Sequence, residues 1–223
     1  MTTIVSTLFI ALDGVAEIDP AWHFPYFDDA VGAAVGEDYA GVDALILGRV
    51  TYDSFAGAWP DREAAGGDDA GFAKELGDLR KIVATRGLQD LGWRNAERSN
   101  DVVAAAKALR DEGVGKVLVA GSISIVRQLL AAGQLDELRL LIHPVAAGTG
   151  ERLFAEGVPT QHLSLVSADA LPTGMLRTIY RPAPDPSAGG DAPATYEDAT
   201  PHVAEAERRV ADARGGDFGV DPG

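Results

Sequence analysis

Three short stretches of this sequence carry the chemistry of anion recognition. Gly48-Arg49-Val50-Thr51-Tyr52 follows the apolar run Ala44–Leu47. A glycine there allows close backbone approach, and the residues after it open a helix whose free N–H groups attract anions. Arg49 adds a permanent cation with a planar donor fork. Thr85-Arg86 ends a second apolar run and offers a hydroxyl and another guanidinium. Ala120-Gly121-Ser122-Ile123-Ser124 is a small-residue turn into a further helix. One such turn alone is an ordinary strand–helix junction. Three along one sheet edge make the footprint of a nucleotide with two or three phosphates. Two carboxylates stand where proton chemistry needs one. Asp13 ends the first apolar stretch in Asp13-Gly14, which equally suits a hairpin. Asp28 follows Trp22-His23-Phe24-Pro25 at a helix start, where an acid is favoured in any case. Tyr52 and Trp59 read either as pocket walls or as core on an apolar helix face.

Other chemistries are excluded or lack their motif. The 223 residues include no cysteine, so disulfides, zinc thiolates, iron–sulfur clusters and cysteine nucleophiles are out. There is no G-x-x-x-x-G-K-[ST] loop and no G-x-S-x-G elbow, and Gly113-Val114-Gly115 precedes a strand where a dinucleotide fingerprint follows one. His23, His143, His162 and His202 show no metal-ligand spacing, so no metal is expected, and His143 before Pro144 reads as a packed or turn histidine. A formal charge of −15 argues against general nucleic-acid binding. No apolar run approaches the roughly 18–20 residues of a membrane helix. Met1–Val5 has no basic region of a secretory signal, and absent cysteine fits a reducing compartment, so a cytoplasmic location is expected.

The turns need a scaffold, and the alternation of signals supplies one. Strands are expected at Thr3–Leu12, Ala44–Leu47, Lys81–Thr85, Lys116–Ala120 and Leu138–His143, where apolar and β-branched residues cluster. Helices are expected at Phe27–Gly36, from Thr51 to Ala56, at Phe72–Leu79, at Asp101–Glu112 and at Ser122–Ala132, the last two stopped by Gly113 and Gly133. Asp61–Ala70 reads as a polar loop. Leu163–Ala168 and Met175–Arg181 read as a terminal antiparallel pair. A β-α order followed by two unlinked strands implies a mostly parallel central sheet with an antiparallel C-terminal edge and helices on both faces. Ligands bind such sheets at the carboxyl ends of the strands, where the three turns lie. From Pro182 onward the composition shifts to Pro, Gly, Ala and Asp, with nine acids against three arginines after Pro184. That stretch is expected to be a disordered acidic tail, with at most a short helix after Thr200.

Taken together, Ala11-Leu12-Asp13-Gly14, Leu47-Gly48-Arg49-Val50-Thr51-Tyr52, Val119-Ala120-Gly121-Ser122 and Leu135-Asp136-Glu137-Leu138 resemble the dihydrofolate reductase-like superfamily. The segment from His143-Pro144-Val145 through Gly148-Thr149-Gly150-Glu151-Arg152-Leu153-Phe154 extends the resemblance. It is nearest to the C-terminal reductase domain of the bifunctional riboflavin-biosynthesis deaminase–reductase and its stand-alone bacterial relatives. It covers residues 3–181 and implies the three-layer fold of that superfamily, domain 1–181 with the tail 182–223 outside it. It implies NADPH, with Gly48, Arg49 and Thr51 along the phosphates, Thr85 and Arg86 at the adenosine 2′-phosphate, and Ala120, Gly121 and Ser122 at the pyrophosphate. Ala120-Gly121 stands where the relatives have a Gly-Gly turn. Asp13 would border the nicotinamide and Asp28 would meet a small heterocyclic substrate, pterin-like or riboflavin-precursor-like. A homodimer is implied as well. Two other readings compete: a nucleotide-binding protein of this fold without turnover, and an interaction protein that works through its acidic tail.

Overall fold

The computed structural model describes residues 1–87, 90–154 and 156–186. The chain divides after Ala183. The second unit, Pro184–Gly223, falls almost wholly outside the described residues, and so does the expected disordered tail with its short helix.

Eight strands form one sheet: β1 (Thr3–Ala11), β2 (Ala44–Gly48), β3 (Arg80–Ala84), β4 (Ala96–Ser99), β5 (Lys116–Ala120), β6 (Glu137–His143), β7 (Leu163–Ala170) and β8 (Leu176–Pro182). Their order across the sheet is β4-β3-β2-β5-β1-β6-β8-β7. The first six pair in parallel, and β8 and β7 add the antiparallel edge. Among the described residues seven α-helices accompany them: α1 (Pro20–His23), α2 (Asp29–Tyr39), α3 (Arg49–Ala56), α4 (Trp59–Ala65), α5 (Ala70–Asp78), α6 (Val102–Asp111) and α7 (Ile123–Ala131).

The period of two in each strand sends alternate side chains to opposite faces. Ile46 of β2 joins Val117 and Val119 of β5 beneath α6 and α7, which bring Leu109, Val126 and Leu129. Leu45 and Leu47 face the other way, toward Tyr52 of α3 and Leu76 of α5. A smaller cluster seats Val31 and Ala34 of α2 on Leu141 of β6. Helices therefore cover both faces. Asp38, 1 % exposed near the end of α2, fastens that helix to the sheet. Its carboxylate accepts from Thr7 Oγ1 on β1 at 2.7 Å, Arg139 on β6 at 3.0 Å and Arg177 on β8 at 2.9 Å.

Three elements escaped the sequence pattern. β4 is Ala-Glu-Arg-Ser, polar and largely exposed; its strand conformation comes from parallel pairing with β3, supported by an ion pair between Arg80 and Glu97. α4 occupies the first half of the stretch expected to be a loop. The Arg62 guanidinium lies 4.8 Å over the Trp59 ring, and left-handed Gly66 ends the helix. α1 is a single turn capped by Asp19, whose carboxylate accepts from Ala21 N–H.

Candidate functional site

Because β3, β2 and β5 are neighbours, their carboxyl ends bring the three anion-friendly turns side by side. They border one cleft of about 970 Å³. Gly48, Arg49 and Thr51 line it from the β2–α3 turn, Thr85 and Arg86 from the end of β3, and Ala120, Gly121 and Ser122 from the β5–α7 turn. α3 and α7 both begin at the cleft, and a helix start carries N–H groups without intrahelical partners and the positive end of the dipole.

Ser122 ties two of the turns together. Its Oγ accepts from Gly48 N–H at 2.7 Å and shares a hydrogen bond with Thr51 Oγ1 at 2.9 Å. A Cβ at position 48 would sit 2.7 Å from that oxygen, so the close approach requires glycine. Gly121 and Ser122 both have left-handed φ values, 63° and 62°. Ala120 closes β5 in a strand conformation, with its methyl in the apolar cluster that includes Leu118. The unusual backbone thus lies one residue later than the Ala120-Gly121 pair, and the alanine costs the turn nothing.

Arg49 donates from Nε to Asp53 at 2.8 Å, while its Nη1 is buried with no hydrogen-bond partner among the described residues. A buried donor without an acceptor is expensive, but this nitrogen is closed off from the open cleft, and the guanidinium as a whole is paired with Asp53. Arg86, unlike Arg49, has no ion-pair partner among the described residues and stands at the far end of the row. An elongated ligand with phosphate groups fits this donor set.

The two carboxylates expected beside a substrate are not among the residues lining the cleft. Asp13 accepts from Gly148 N–H at 2.7 Å and Ala147 N–H at 3.2 Å, and Arg152 stands 3.6 Å away. The N–H of Gly148 above all holds its carboxyl below the usual range. Asp28 caps α2, accepting from Val31 N–H at 2.9 Å. Both carboxylates secure backbone. The nearby Trp22-His23 segment builds a ring cage: Phe9 lies 4.5 Å from the buried His23, Trp22 lies 4.8 Å from the buried His143, and His23 Nδ1 meets His143 Nε2 at 3.2 Å. Tyr52 is core, and its hydroxyl accepts from Trp93 N–H at 3.0 Å; Trp59 packs on Phe72.

The other half of the cleft was not foreseen. Phe9, Val35 and Tyr39 form its wall, with Glu17 and Glu151 beside them. Glu17 Oε2 accepts from Glu151 N–H at 2.9 Å, which joins the segment after β1 to the loop after β6. Apart from Glu151, which lies in the Gly148–Phe154 segment, no local pattern marks these residues, because the sheet order brings them together. Among the described residues no group of three or more His, Asp or Glu is placed to hold a metal ion, and no helix is long and apolar enough to cross a membrane.

Comparison with known proteins places this architecture. A family model described as the RibD C-terminal domain matches residues 2–177. A Bacillus subtilis protein, YyaP, itself uncharacterized, is 24 % identical over 143 residues, 62 % of this chain and 73 % of its own length. A pyrimidine reductase-like protein from Corynebacterium diphtheriae superposes with a TM-score of 0.60 at 18 % identity, over 82 % of this chain and 92 % of its own. The diaminohydroxyphosphoribosylaminopyrimidine deaminase/5-amino-6-(5-phosphoribosylamino)uracil reductase of Thermotoga maritima superposes with a TM-score of 0.57 at 15 % identity, over 81 % of this chain and 56 % of its own. These likenesses establish the dihydrofolate reductase-like fold that the motifs implied.

Proposed function

Because the chain belongs to the RibD C-terminal domain family, we propose that it is an NADPH-dependent reductase acting on a small heterocyclic substrate, pterin-like or riboflavin-precursor-like. The observation that carries this reading is the convergence of Arg49, Arg86 and the Gly121-Ser122 turn on one cleft.

Gly48, Arg49, Thr51, Gly121 and Ser122 would hold the cofactor's diphosphate, through helix N-termini, hydroxyls and the Arg49 fork. Thr85 and Arg86 would take the 2′-phosphate. When bound, NADPH supplies a hydride for an electron-poor C=N or C=O. The protein's part is orientation and exclusion of water: Phe9, Val35, Tyr39 and Phe55 give the cleft apolar walls against which flat rings stack. In this proposal Asp13 and Asp28 are positioning residues, since both carboxylates are committed to backbone N–H groups. That commitment also favours a second reading, a nucleotide-binding protein without turnover. The homodimer belongs to the proposal on the strength of the resemblance alone, and the cytoplasmic location on that of a cysteine-free composition.

The test is titration with NADPH and then NADH, followed by quenching of the three tryptophans. NADPH is expected to bind tighter, and Arg86→Ala to cost roughly 10- to 100-fold in NADPH affinity with little change for NADH, the worth of one charge-assisted contact. Absence of binding by either nucleotide would defeat the reading. Binding without oxidation across a panel of reducible heterocycles would select the non-turnover alternative.

A further inference from the structure

In a chain with a formal charge of −15, an arginine has carboxylates to choose from. Among the described residues every arginine but two takes one. The two exceptions are Arg86 and Arg98, and they meet at one turn. Arg98 stands on β4 beside Val83 of β3. Its guanidinium reaches past the end of β3, where Nη1 donates to the Gly87 carbonyl at 2.8 Å. Gly87 N–H in turn donates to Thr85 Oγ1 at 3.1 Å. Both backbone groups of Gly87 are thus held, and Thr85-Arg86-Gly87 is a formed turn with Arg86 in its middle. The acids flanking Arg98 are engaged elsewhere: Glu97 pairs with Arg80, and Asp101 caps α6. Asn100 and Val102 line the cleft beside Thr85 and Arg86, so the carboxyl end of β4 borders it together with that of β3.

A guanidinium carries five N–H donors in a planar fork, and the Gly87 carbonyl occupies one nitrogen of Arg98. Two like charges on one turn repel each other, and an anion between them converts that cost into binding. We infer that Arg98 is the second arginine of the site for the cofactor's 2′-phosphate, and so a determinant of NADPH over NADH. This inference rests on the cofactor reading and deepens it. A phosphate monoester is mostly a dianion at neutral pH, since its second pKa lies near about 6. Two forks meet its charge and its acceptor oxygens where Arg86 alone meets half. The 2′-hydroxyl of NADH brings neither the charge nor the oxygens.

The experiment titrates the full chain with NADPH and NADH by tryptophan quenching, and with adenosine 2′,5′-bisphosphate and 5′-AMP by calorimetry. The wild-type protein is expected to bind the bisphosphate at least about tenfold tighter than 5′-AMP. Arg98→Gln is expected to cost about tenfold in NADPH affinity and to leave NADH within about twofold, the worth of one exposed charge-assisted contact. Arg86→Ala alone should keep a residual preference for NADPH that Arg86→Ala with Arg98→Gln loses. Should Arg98→Gln not fold, Arg98→Lys keeps the stem and the charge but not the fork, and a loss of NADPH preference of about threefold is expected. An equal loss for both nucleotides would mean that Arg98 only shapes the Gly87 turn, and that overturns the inference. So does an unchanged NADPH preference, or a wild-type protein indifferent to the 2′-phosphate of the bisphosphate. Quenching by both nucleotides without dependence on Arg98 removes this inference alone. No quenching by either removes the cofactor reading and this inference together.

Discussion

His23 and His143 share one hydrogen bond inside a cage of rings. Burial, and then the neighbouring imidazole, push His23 from 6.5 down to about 4; burial also lowers His143. Between about pH 6.5 and 4 the unfolded chain binds a proton that the native chain does not, so stability falls as the solution is acidified and is fully present above 6.5. From pH 7 to pH 5 the expected loss for His23 alone is about 2 kcal/mol, read as a lower urea midpoint, and His23→Gln should flatten the dependence. An unchanged midpoint would rule the idea out. At this scale the sequence was informative where chemistry is local. The glycine and arginine of the β2 turn and the Thr85-Arg86 pair stand in the cleft as their types and positions imply. It was uninformative for carboxylates, because an aspartate that caps a helix or anchors a loop looks the same in one dimension as one that meets a ligand. Asp28 and Asp13 are such residues, whereas Glu17 reaches the cleft with no motif to announce it.

The β2–α3 and β5–α7 turns behave as one unit because Ser122 bridges them. Adding a methyl at position 48 would force the Ser122 oxygen away from the Gly48 N–H and the Thr51 hydroxyl together. Gly48→Ala is therefore expected to lower stability by about 1–3 kcal/mol, the cost of an unmet buried donor plus local strain, and to weaken NADPH binding at least roughly tenfold. Thermal melting and the quenching titration read the two effects separately; full retention of both would show that the bridge is dispensable. Elements with a buried face were legible. β2, β5 and α6 declare themselves through apolar runs and caps such as Asp101, whose side chain accepts from Ala104 N–H. Elements held by their neighbours were not. β4 has no apolar face to show, and α4 was hidden in a polar stretch that becomes helical around Trp59 and its stacked arginine.

Across the whole molecule, the sheet is complete at Pro182 and the family match ends at residue 177. A chain ending at Pro186 is accordingly expected to melt within about 2 °C of the full-length protein and to bind NADPH equally well; a larger loss on either measure would give residues 187–223 a part in the fold. If a partner is lost on truncation while both measures hold, the interaction reading of the tail gains its support. The antiparallel edge leaves Leu165, Val166 and Leu176 substantially exposed, and with the dimer implied by the resemblance this gives an expected particle of two chains in sedimentation; a single-chain mass at micromolar concentration would refute it. The order of the strands was only partly readable, since pattern gives strand faces but not neighbours, and the parallel β3–β4 step has no helix among the described residues between its strands to signal it. That order also has a consequence for synthesis. β1 leaves the ribosome before the other strands, yet it belongs in the middle of the sheet, between β5 and β6. Val5, Leu8 and Ile10 must wait without a strand on either side until Lys116–Ala120 and then Glu137–His143 have been made. The earliest-made strand of the sheet is thus among the last to be enclosed, and the nascent chain relies on whatever shields that strand during elongation.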